Sequence, residues 1–380
     1  MAGLLAERAL QYPAITITGP RQAGKTTLAR ECFPRLPYFN LERPDLREAA
    51  LNDPRGLLAR APDGAIFDEV QRVPSLLSWV QDAVDTDRRP GRFVLTGSHS
   101  FELMGAAAQS LAGRTAVLHL LPMSIAELRG AGLPSHTDRL IHAGGFPRIH
   151  ADNLPPAVAM ADYFATYVER DLRQLVEVRE IESFRRFVRL AAGRVGQLLN
   201  LHNLAADAGV TDPTARTWID VLEASFIVRR LQPWHANIGK RLVKSSKLYF
   251  CDTALAAWLI GIHEEGQLVA HPLRGPLFEN LVVMEFVKHA ANRGESPALW
   301  FFRDSAGTEV DLVTEQGLAP GQTGLVEIKS GQTVVGDAFT SLHKVGALLG
   351  NRVTRRMLVY GGNEHYMREG VEVAGISAHR

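Results

Sequence analysis

The sequence predicts an α/β protein with an N-terminal parallel sheet around a phosphate-binding loop, a middle winged helix and a C-terminal α/β domain. Three observations support this prediction. An apolar strand runs into G-x-x-x-x-G-K-[ST] at 19–26, further apolar strands alternate with helical stretches, and acidic residues interrupt late strands in the pattern of a metal site. The predicted domains are 1–150, 151–255 and 256–380.

The length and composition fit two or three domains. The chain has 380 residues, 46% of them hydrophobic, and no run reaches the roughly 18 to 20 apolar residues of a membrane span. The opening MAGLLAERAL lacks the features of a secretory signal, so we expect a soluble cytoplasmic protein with no membrane partner. Cys32 and Cys251 match no metal-ligand spacing, which argues against a zinc site. With a net charge of +1, any nucleic-acid binding must come from a local patch.

Residues 14–30, AITITGPRQAGKTTLAR, read as a strand, a phosphate-binding loop and a helix in that order. The glycines let backbone N–H groups turn toward phosphate oxygens, and the positive end of the helix points at the same charge. Lys25 is expected to reach the β- and γ-phosphates of ATP, and the Thr26 hydroxyl to bind Mg²⁺. The nucleotide-binding residues of this loop are Gly19, Gly24, Lys25, Thr26 and Thr27.

Two carboxylates end the apolar strand AIFDE at 65–69. Asp68 is expected to hold Mg²⁺ together with Thr26. Glu69, one residue further, is expected to be the catalytic base that orients and deprotonates the attacking water. The alternative is a pair of ordinary acids where a strand meets a loop.

Five apolar segments predict a parallel sheet that is covered on both faces and binds its ligand at the carboxyl ends of the strands. One of them, RFVLTGS at 92–98, ends in Thr96 and Ser98. Ser98 is expected to sense the γ-phosphate, as that position does in the additional-strand class of P-loop ATPases. The predicted strands are 14–18, 37–41, 65–69, 92–97 and 115–121.

Three arginines are candidates for a residue that reaches the γ-phosphate from elsewhere in the protein. Arg114 in SLAGR is the first choice, as a catalytic arginine finger or an in-chain sensor. Arg148 in GGFPR and Arg170 in YVERDLR are rivals. An arginine before a turn or on a helix is usually structural, so that alternative stays open for all three.

The middle of the chain predicts a helical connector and then a winged helix. Residues 150–200 show apolar helical spacing, and in 200–234 Gly209 marks a turn, Asp212 begins a second helix and FIVRRL follows as a strand. Between residues 207 and 223 there are four acids and one arginine, whereas a helix that reads DNA needs positive charge against phosphate. We therefore favour a structural or protein-contacting winged helix.

The next stretch is the best candidate for a nucleic-acid footprint. From Ala224 to Cys251 there are six basic residues and no acid. Any DNA or RNA is expected to bind through residues 229–247 and the C-terminal domain, because clustered cations suit a phosphate backbone. The alternatives are a solvated face or pairing with acids elsewhere. The six residues are Arg229, Arg230, Lys240, Arg241, Lys244 and Lys247.

Late in the chain, LVEIKSG at 325–331 places Glu327 and Lys329 on one face of a strand, because residues two apart share a face. Asp311 lies on the preceding strand, and Glu279 lies in the first turn of a predicted helix over 275–290. This order of acids and lysine is typical of PD-(D/E)xK nucleases. Mg²⁺ or Mn²⁺ would be held by the three acids, and Lys329 would orient the attacking water. The alternative is a surface ion pair.

The chain resembles prokaryotic AAA-type P-loop ATPases that carry a C-terminal PD-(D/E)xK nuclease-like domain of unassigned function. The resemblance covers nearly the full length and rests on GPRQAGKTT, IFDEVQ, LTGS, SLAGR, GGFPR, KRLVKSSKLYFCDTAL, FEN, and EVD with EIKSG. It implies ATP binding, an AAA-type sheet, a winged helix and a PD-(D/E)xK-like end domain. The chain departs from the strict nuclease pattern at one point, because no proline precedes Asp311.

Two functions follow from these patterns. The first is an ATP-hydrolysing protein that acts on nucleic acid through a metal-dependent, nuclease-like C-terminal domain. The second is an ATP-driven switch or partner-binding protein whose nuclease-like domain is catalytically inactive. The complete set of three acids and one lysine favours the first, while the nearly neutral net charge weighs against it. Self-association is compatible with both.

Overall fold

The computed structural model describes residues 1–98, 111–134, 136–172, 181–234 and 244–377, with the backbone alone described for 169–172. The chain forms two compact units. The smaller unit holds Met1–Pro122, Ala224–Phe226 and Ala291–Glu295, and the larger holds Met123–Glu223, Ile227–Ala290 and Ser296–Arg380. Our division into three domains stays a prediction.

The smaller unit is built on the predicted parallel sheet. Its strands are β1 (Ala14–Thr18), β2 (Tyr38–Asn40), β3 (Ala65–Asp68), β4 (Phe93–Gly97) and β5 (Thr115–His119). All pairings are parallel, in the order β2-β3-β4-β1-β5. Every residue of β1, β3 and β4 is buried, as expected of strands inside a parallel sheet.

Apolar layers cover both faces of this sheet, as predicted. Phe67 and Phe93 belong to one layer, and Ile66 and Val94 to the other. Neighbouring residues of a strand point to opposite faces, so each strand contributes to both layers. The helices of this unit are α1 (Ala2–Ala9), α2 (Lys25–Cys32), α3 (Pro44–Asn52), α4 (Pro54–Ala59) and α5 (Leu76–Thr86), with a short 3₁₀ helix at Val70–Arg72.

Local sequence explains where these helices begin. Helices α3 and α4 each start with proline, whose fixed φ suits the first helical residue. The Asp53 carboxylate caps α4 by accepting a hydrogen bond from the backbone N–H of Gly56 at 2.9 Å. Helix α5 buries an apolar stripe with helical spacing, formed by Leu76, Leu77, Val80 and Val84.

The larger unit begins with a series of helices. They are α6 (Ile125–Gly130), α7 (Thr137–Ala143), α8 (Pro147–Ala151), α9 (Pro156–Tyr163), a π-helical segment (Phe164–Leu172), α10 (Ile181–Ala192), α11 (Leu201–Ala208) and α12 (Asp212–Ala224). The last two, α11 and α12, form the predicted helix-turn-helix. Gly209 ends α11 with a φ of 75°, the left-handed conformation that glycine adopts readily. Trp218 of α12 meets Phe184 and Phe187 of α10 edge-on, with ring centroids 5.2 and 5.3 Å away.

A two-stranded antiparallel sheet follows the helix-turn-helix, formed by β6 (Val228–Leu231) and β7 (Lys247–Phe250). The order of helix, turn, helix and strand agrees with the sequence prediction. The winged helix itself stays a prediction, because residues 235–243 between the two strands lie outside the described residues.

The C-terminal part is a six-stranded mixed sheet with helices. It contains α13 (Thr253–Leu259), α14 (Arg274–Asn292), β8 (Leu299–Arg303), β9 (Glu309–Thr314), β10 (Thr323–Lys329), α15 (Thr340–Leu349), β11 (Val353–Tyr360), β12 (His365–Arg368), β13 (Val371–Gly375) and 3₁₀ turns at Glu265–Leu268, Gly336–Phe339 and Gly350–Arg352. The sheet order is β12-β13-β11-β10-β9-β8. Strands β10, β11 and β13 run parallel, and the other pairs are antiparallel.

Helix α14 begins at Arg274, so Glu279 lies in its second turn. The sequence had suggested the first turn. The fully buried Asn280 ties this helix to β7. Its side-chain amide donates to the carbonyl of Phe250 at 2.8 Å and accepts from the N–H of the same residue at 2.6 Å. In the described part of the chain, none of the helices combines the length and apolar character of a membrane span.

Candidate functional site

The phosphate-binding loop joins the end of β1 to the start of α2. A Cβ atom at Gly19 would stand 2.0 Å from the carbonyl oxygen of Leu120, so only glycine fits there. Gly24 has a φ of 92° and directly precedes Lys25, the first residue of α2. Glycine adopts this left-handed conformation at little cost, which explains the second glycine of the motif.

Lys25 is buried, with 5% of its surface exposed. Its ammonium group donates to the backbone carbonyls of Gly19 at 3.0 Å and Pro20 at 2.7 Å, both in the phosphate-binding loop. Burial lowers the pKa of Lys25 to about 8, against the opposing effect of the Glu69 and Asp68 carboxylates. The amine is therefore held inside the loop and lies near both acids that end β3.

Asp68, the last residue of β3, accepts hydrogen bonds from three hydroxyl groups. The Thr26 hydroxyl is 3.0 Å from both carboxylate oxygens, and the Tyr38 hydroxyl donates at 2.7 Å. Thr96 of β4 also donates to Asp68. Burial, followed by the hydrogen bond to Asp68, raises the pKa of Tyr38. The predicted pair of Mg²⁺ ligands, Thr26 and Asp68, is thus in direct contact.

Glu69 adopts a left-handed backbone conformation with a φ of 58°. This conformation costs a residue other than glycine about 1 to 3 kcal/mol and is common at functional sites. Its carboxylate accepts from the Ser98 hydroxyl at 2.8 Å on one oxygen and from the Gln71 side chain on the other. The predicted base and the predicted γ-phosphate sensor are therefore hydrogen-bonded to each other.

The structure brings the predicted ATP-site residues together at the carboxyl ends of β1, β3 and β4. Sequence reasoning missed Tyr38, which no local pattern marks, and the role of Gln71, although it stands inside IFDEVQ. Thr26 and Thr27 line a cleft of about 480 Å³ beside α2. The buried amine and the contacting hydroxyl and carboxylate fit ATP with Mg²⁺, which prefers oxygen ligands.

The three candidate arginines differ in where they lie. Arg114 makes a bidentate ion pair with Asp85 of α5, at 2.7 and 2.9 Å. Arg148, on the short helix α8, contacts Asp152 directly after that helix at 3.1 Å. The side chain of Arg170 lies outside the described residues. Arg114 and Arg148 thus have the acidic partners expected of structural arginines, the alternative that the sequence left open. The arginine-finger role stays a prediction.

A second candidate site lies in the larger unit, where carboxylates surround Lys247 of β7. The Lys247 ammonium is 2.8 Å from Glu279 of α14, 2.5 Å from Glu309 of β9 and 3.9 Å from Asp311 of the same strand. Only 3% of the lysine is exposed. Although burial opposes it, attraction to these carboxylates raises the pKa of Lys247, so the residue carries a buried positive charge. The Tyr249 hydroxyl also donates to Glu279, at 2.6 Å.

The predicted pair of Glu327 and Lys329 is present on β10. The Lys329 ammonium donates to one carboxylate oxygen of Glu327 at 2.6 Å, while the other oxygen is buried and has no partner among the described residues. Asp311 accepts from the backbone N–H of Ile328 at 2.8 Å. Burial, followed by repulsion from Glu279 and Glu327, raises the pKa of Asp311 well above its usual range.

A lysine lies among the carboxylates of the predicted metal site. Within the described residues, no group of three or more His, Cys, Asp or Glu side chains is arranged to hold a metal ion. Lys247 supplies to Glu279 and Asp311 the positive charge that the sequence analysis assigned to a metal. The signal that could have revealed it is a lysine at the start of the otherwise apolar strand KLYF. Metal binding by Glu279, Asp311 and Glu327 stays a prediction, as does the role of Lys329.

The basic stretch 229–247 meets acids from elsewhere in the larger unit. Arg230 contacts Asp220 at 2.8 Å and Glu223 at 2.5 Å, and Lys247 is enclosed by the acidic cluster. The alternative left open by the sequence, pairing with acids elsewhere in the chain, therefore holds for two of the six, because folding brings acids from other elements to them. Lys240 and Arg241 lie outside the described residues. Nucleic-acid binding by this stretch stays a prediction.

Comparison with known proteins places three family models along the chain. Residues 11–129 match an "AAA domain", residues 135–266 a "Domain of unknown function (DUF8612)" and residues 274–378 a "Domain of unknown function (DUF4143)". The smaller unit carries an AAA-type ATPase domain. This match and the geometry around Lys25 agree with the sequence prediction.

Two mycobacterial relatives match most of the chain. "Uncharacterized protein Mb2031c" of Mycobacterium bovis and "Uncharacterized protein Rv2008c" of Mycobacterium tuberculosis are each 34% identical over 358 residues, which is 93% of this chain and 78% of each relative. The chain belongs to the family of these two proteins.

Two solved structures resemble the chain weakly. The Walker-type ATPase paby2304 of Pyrococcus abyssi is 15% identical with a TM-score of 0.46, covering 68% of this chain and 94% of its own. AMPPCP-bound DnaA from Aquifex aeolicus is 16% identical with a TM-score of 0.31, covering 58% and 86%. Both scores are below 0.5, so these likenesses support no conclusion about this chain.

Proposed function

We propose that the smaller unit binds ATP with Mg²⁺ and hydrolyses it, with Glu69 as the catalytic base. The observation that carries this proposal is the pair of neighbouring carboxylates that end β3. Asp68 contacts the Thr26 hydroxyl at 3.0 Å, and Glu69 contacts Ser98 at 2.8 Å. Under this proposal, the first carboxylate holds the metal and the second acts on water.

The loop residues bind and orient the triphosphate. The Lys25 ammonium would exchange its two backbone carbonyl partners for phosphate oxygens, which are stronger acceptors. Thr26 and Asp68 would hold Mg²⁺, which supplies positive charge to the phosphates when bound. Tyr38 and Thr96 fix the Asp68 carboxylate from two neighbouring strands, so its orientation does not depend on the ligand.

Glu69 acts on the attacking water. As the water oxygen forms a bond to the γ-phosphorus, the bond from that phosphorus to the leaving ADP oxygen breaks and the water proton passes to Glu69. The Ser98 hydroxyl, which now donates to Glu69, is placed to donate to the γ-phosphate instead. Such an exchange would free one carboxylate oxygen for water only when ATP is bound.

The test separates binding from hydrolysis. Lys25→Ala is expected to abolish ATP binding or nearly so, because the buried ammonium is the loop's own positive charge. Glu69→Gln is expected to bind ATP like the wild type and to release phosphate about 10² to 10⁴ times more slowly, the usual contribution of a general base. Fluorescent-nucleotide binding and phosphate release with Mg²⁺ measure the two effects.

Glu48→Gln is the matched control, since it makes the same chemical change at an exposed position of α3. It is expected to hydrolyse ATP at the wild-type rate. Hydrolysis by Glu69→Gln at the rate of this control would show that Glu69 is not the base.

We also propose that the C-terminal domain recognises a partner and does not cleave nucleic acid. The observation that favours this function is the buried Lys247 ammonium, which lies between Glu279 and Glu309 and 3.9 Å from Asp311. Lys247 thus contacts two of the acids, Glu279 and Asp311, that a PD-(D/E)xK nuclease would need for a metal. Under this proposal the ATPase unit drives a switch, and the winged helix is part of the recognition surface.

A cleavage assay on DNA and RNA substrates with Mg²⁺ or Mn²⁺ tests this second function. No cleavage that depends on Asp311 is expected. Cleavage by the wild type that disappears in both Asp311→Asn and Lys329→Ala would contradict the proposal and restore the nuclease interpretation.

A further inference from the structure

An arginine-rich groove lies beside helix α10 in the larger unit. Its volume is about 650 Å³. Four arginines line it together with one acid, and Gly193 widens it because glycine has no side chain. The residues that line the groove are Glu182, Arg185, Arg186, Arg189, Leu190, Gly193, Arg194 and Gln197.

Two of these arginines have no acidic partner. Arg186 and Arg189 are exposed, and neither forms an ion pair within the described residues. Arg185 contacts Glu182 at 2.6 Å, but this pair is solvent-exposed and of a kind that contributes only about 0 to 1 kcal/mol. Among the described residues, the groove therefore carries an excess of positive charge.

Each of the four acids of the helix-turn-helix contacts a basic or histidine side chain, and one of them, Asp207, offsets a groove arginine. Asp207 pairs with Arg194, and Asp212 lies 3.1 Å from a nitrogen of His202. The other two, Asp220 and Glu223, both contact Arg230. The count of acids between residues 207 and 223, which spoke against nucleic-acid binding in the sequence, thus overstates the free negative charge of this region.

We propose that the groove binds the phosphate backbone of a nucleic-acid duplex. Arg186 and Arg189, the two without an ion pair among the described residues, are three residues apart, about 4.5 Å along the axis of α10. Neighbouring phosphates of one duplex strand are about 3.4 Å apart along the duplex axis, so these two long side chains can each meet a phosphate. This binding site lies outside the ATP site and does not depend on hydrolysis.

The chemistry of the lining selects this class of ligand. Planar guanidinium groups form bidentate hydrogen bonds with phosphate oxygens. The lining includes no aromatic side chain, so it lacks the stacking platforms typical of single-strand binding and the aromatic anchors typical of protein interfaces. The contacts are expected to go to the backbone alone, with little dependence on base sequence.

The test measures the binding of a short fluorescent DNA duplex to the full chain by anisotropy, at several salt concentrations and without nucleotide. The double variant Arg186→Gln/Arg189→Gln is expected to bind at least tenfold more weakly. The slope of log affinity against log salt should fall by about two, one for each lost phosphate contact. Lys25→Ala should bind duplex like the wild type, so a failure of the ATPase proposal would leave this result unaffected.

The matched control is Arg352→Gln/Arg355→Gln, which removes two exposed positive charges from strand β11 and from the 3₁₀ turn that precedes it. This control should keep the wild-type affinity and salt slope, and circular dichroism should show that both double variants are folded. An equal loss in the control, or no loss in the groove variant, would overturn the proposal.

Three further outcomes would also show that the groove is not the duplex-binding site. The first is no binding of duplex by the wild type at low salt. The second is full displacement of the duplex by polyglutamate at equal charge concentration, which would indicate a site for acidic protein segments. The third is a loss confined to Arg216→Gln on α12, which would move the contact to the second helix of the helix-turn-helix.

Discussion

Replacing Lys247 with methionine is expected to destabilise the larger unit strongly. Methionine keeps a long unbranched side chain but removes the charge, so the change leaves a buried cluster of carboxylates without its central cation. Glu279 would keep only the Tyr249 hydroxyl among the donors that contact it now. Glu309 would keep Arg303, at 3.0 Å.

The size of the effect follows from the distances. At an effective dielectric constant of about 20, charges 2.8 Å apart attract by about 6 kcal/mol and charges 3.9 Å apart by about 4 kcal/mol, for the contacts of Lys247 with Glu279 and Asp311. The cost of burying the ammonium cancels much of this gross attraction. Removing one partner of a buried ion pair has a net cost of about 3 to 5 kcal/mol, which is the loss we expect.

Urea unfolding followed by tryptophan fluorescence measures this loss, because four of the five tryptophans lie in the larger unit. Lys244→Met is the control, since it makes the same change at an exposed position three residues away and should cost little. The deficit should shrink as the pH falls toward about 5. Burial raises the carboxyl pKa values of Asp311 and Glu327 in the folded cluster, so protonation stabilises the folded state, and this stabilisation is lost as the pH rises.

A double-mutant cycle identifies the cause of the loss. Glu279→Gln in the Lys247→Met background should recover part of the stability, because it removes one of the unpaired charges. A Lys247→Met variant as stable as the Lys244→Met control would refute the reasoning.

Three further predictions concern other contacts. Burial lowers the pKa of Lys25 to about 8, and phosphate favours its charged form. ATP affinity should therefore weaken above pH 8, and calorimetry should detect proton uptake on binding. The same affinity at pH 7 and pH 9 would contradict this. Ser98→Ala should leave ATP binding intact and lower the turnover in phosphate-release assays, whereas an unchanged turnover would exclude a sensing role for the hydroxyl that now contacts Glu69. Trp218→Ala should lower the free energy of unfolding in urea by about 3 to 5 kcal/mol, because the ring packs edge-on against two buried phenylalanines. A decrease below about 1 kcal/mol would show that these contacts add little to stability.

Much of the ATP site could be predicted because its residues follow one another closely in the chain. The loop around Lys25 is one continuous segment, and Asp68 and Glu69 are adjacent at the end of an apolar strand. A sheet of parallel strands must gather such strand ends at one edge, so their meeting follows from the order of elements. Tyr38 could not be predicted in this way, because its contact with Asp68 depends on which face of β2 turns inward.

The C-terminal site shows the opposite case. The pairing of Glu327 with Lys329 follows from the two-residue period of a strand, and the structure has it at 2.6 Å. The presence of Lys247 in the same cluster does not follow from any period, because 32 residues separate it from Glu279. Sequence reasoning assigned the balancing charge to a metal because it could not see this lysine.

The sequence by itself determined the phosphate-binding loop, the parallel sheet and the helix-turn-helix. These depend on local properties, namely the freedom of glycine, the period of apolar residues and the residues that begin or end helices. Only the tertiary structure decided which charges neutralise each other. It placed Lys247 among carboxylates and Arg230 against Asp220 and Glu223. Within the described ranges of the chain, it left Arg186 and Arg189 without acidic partners. Coulomb interactions act across space between residues far apart in the chain, so counting charges along the sequence cannot reveal which of them remain free.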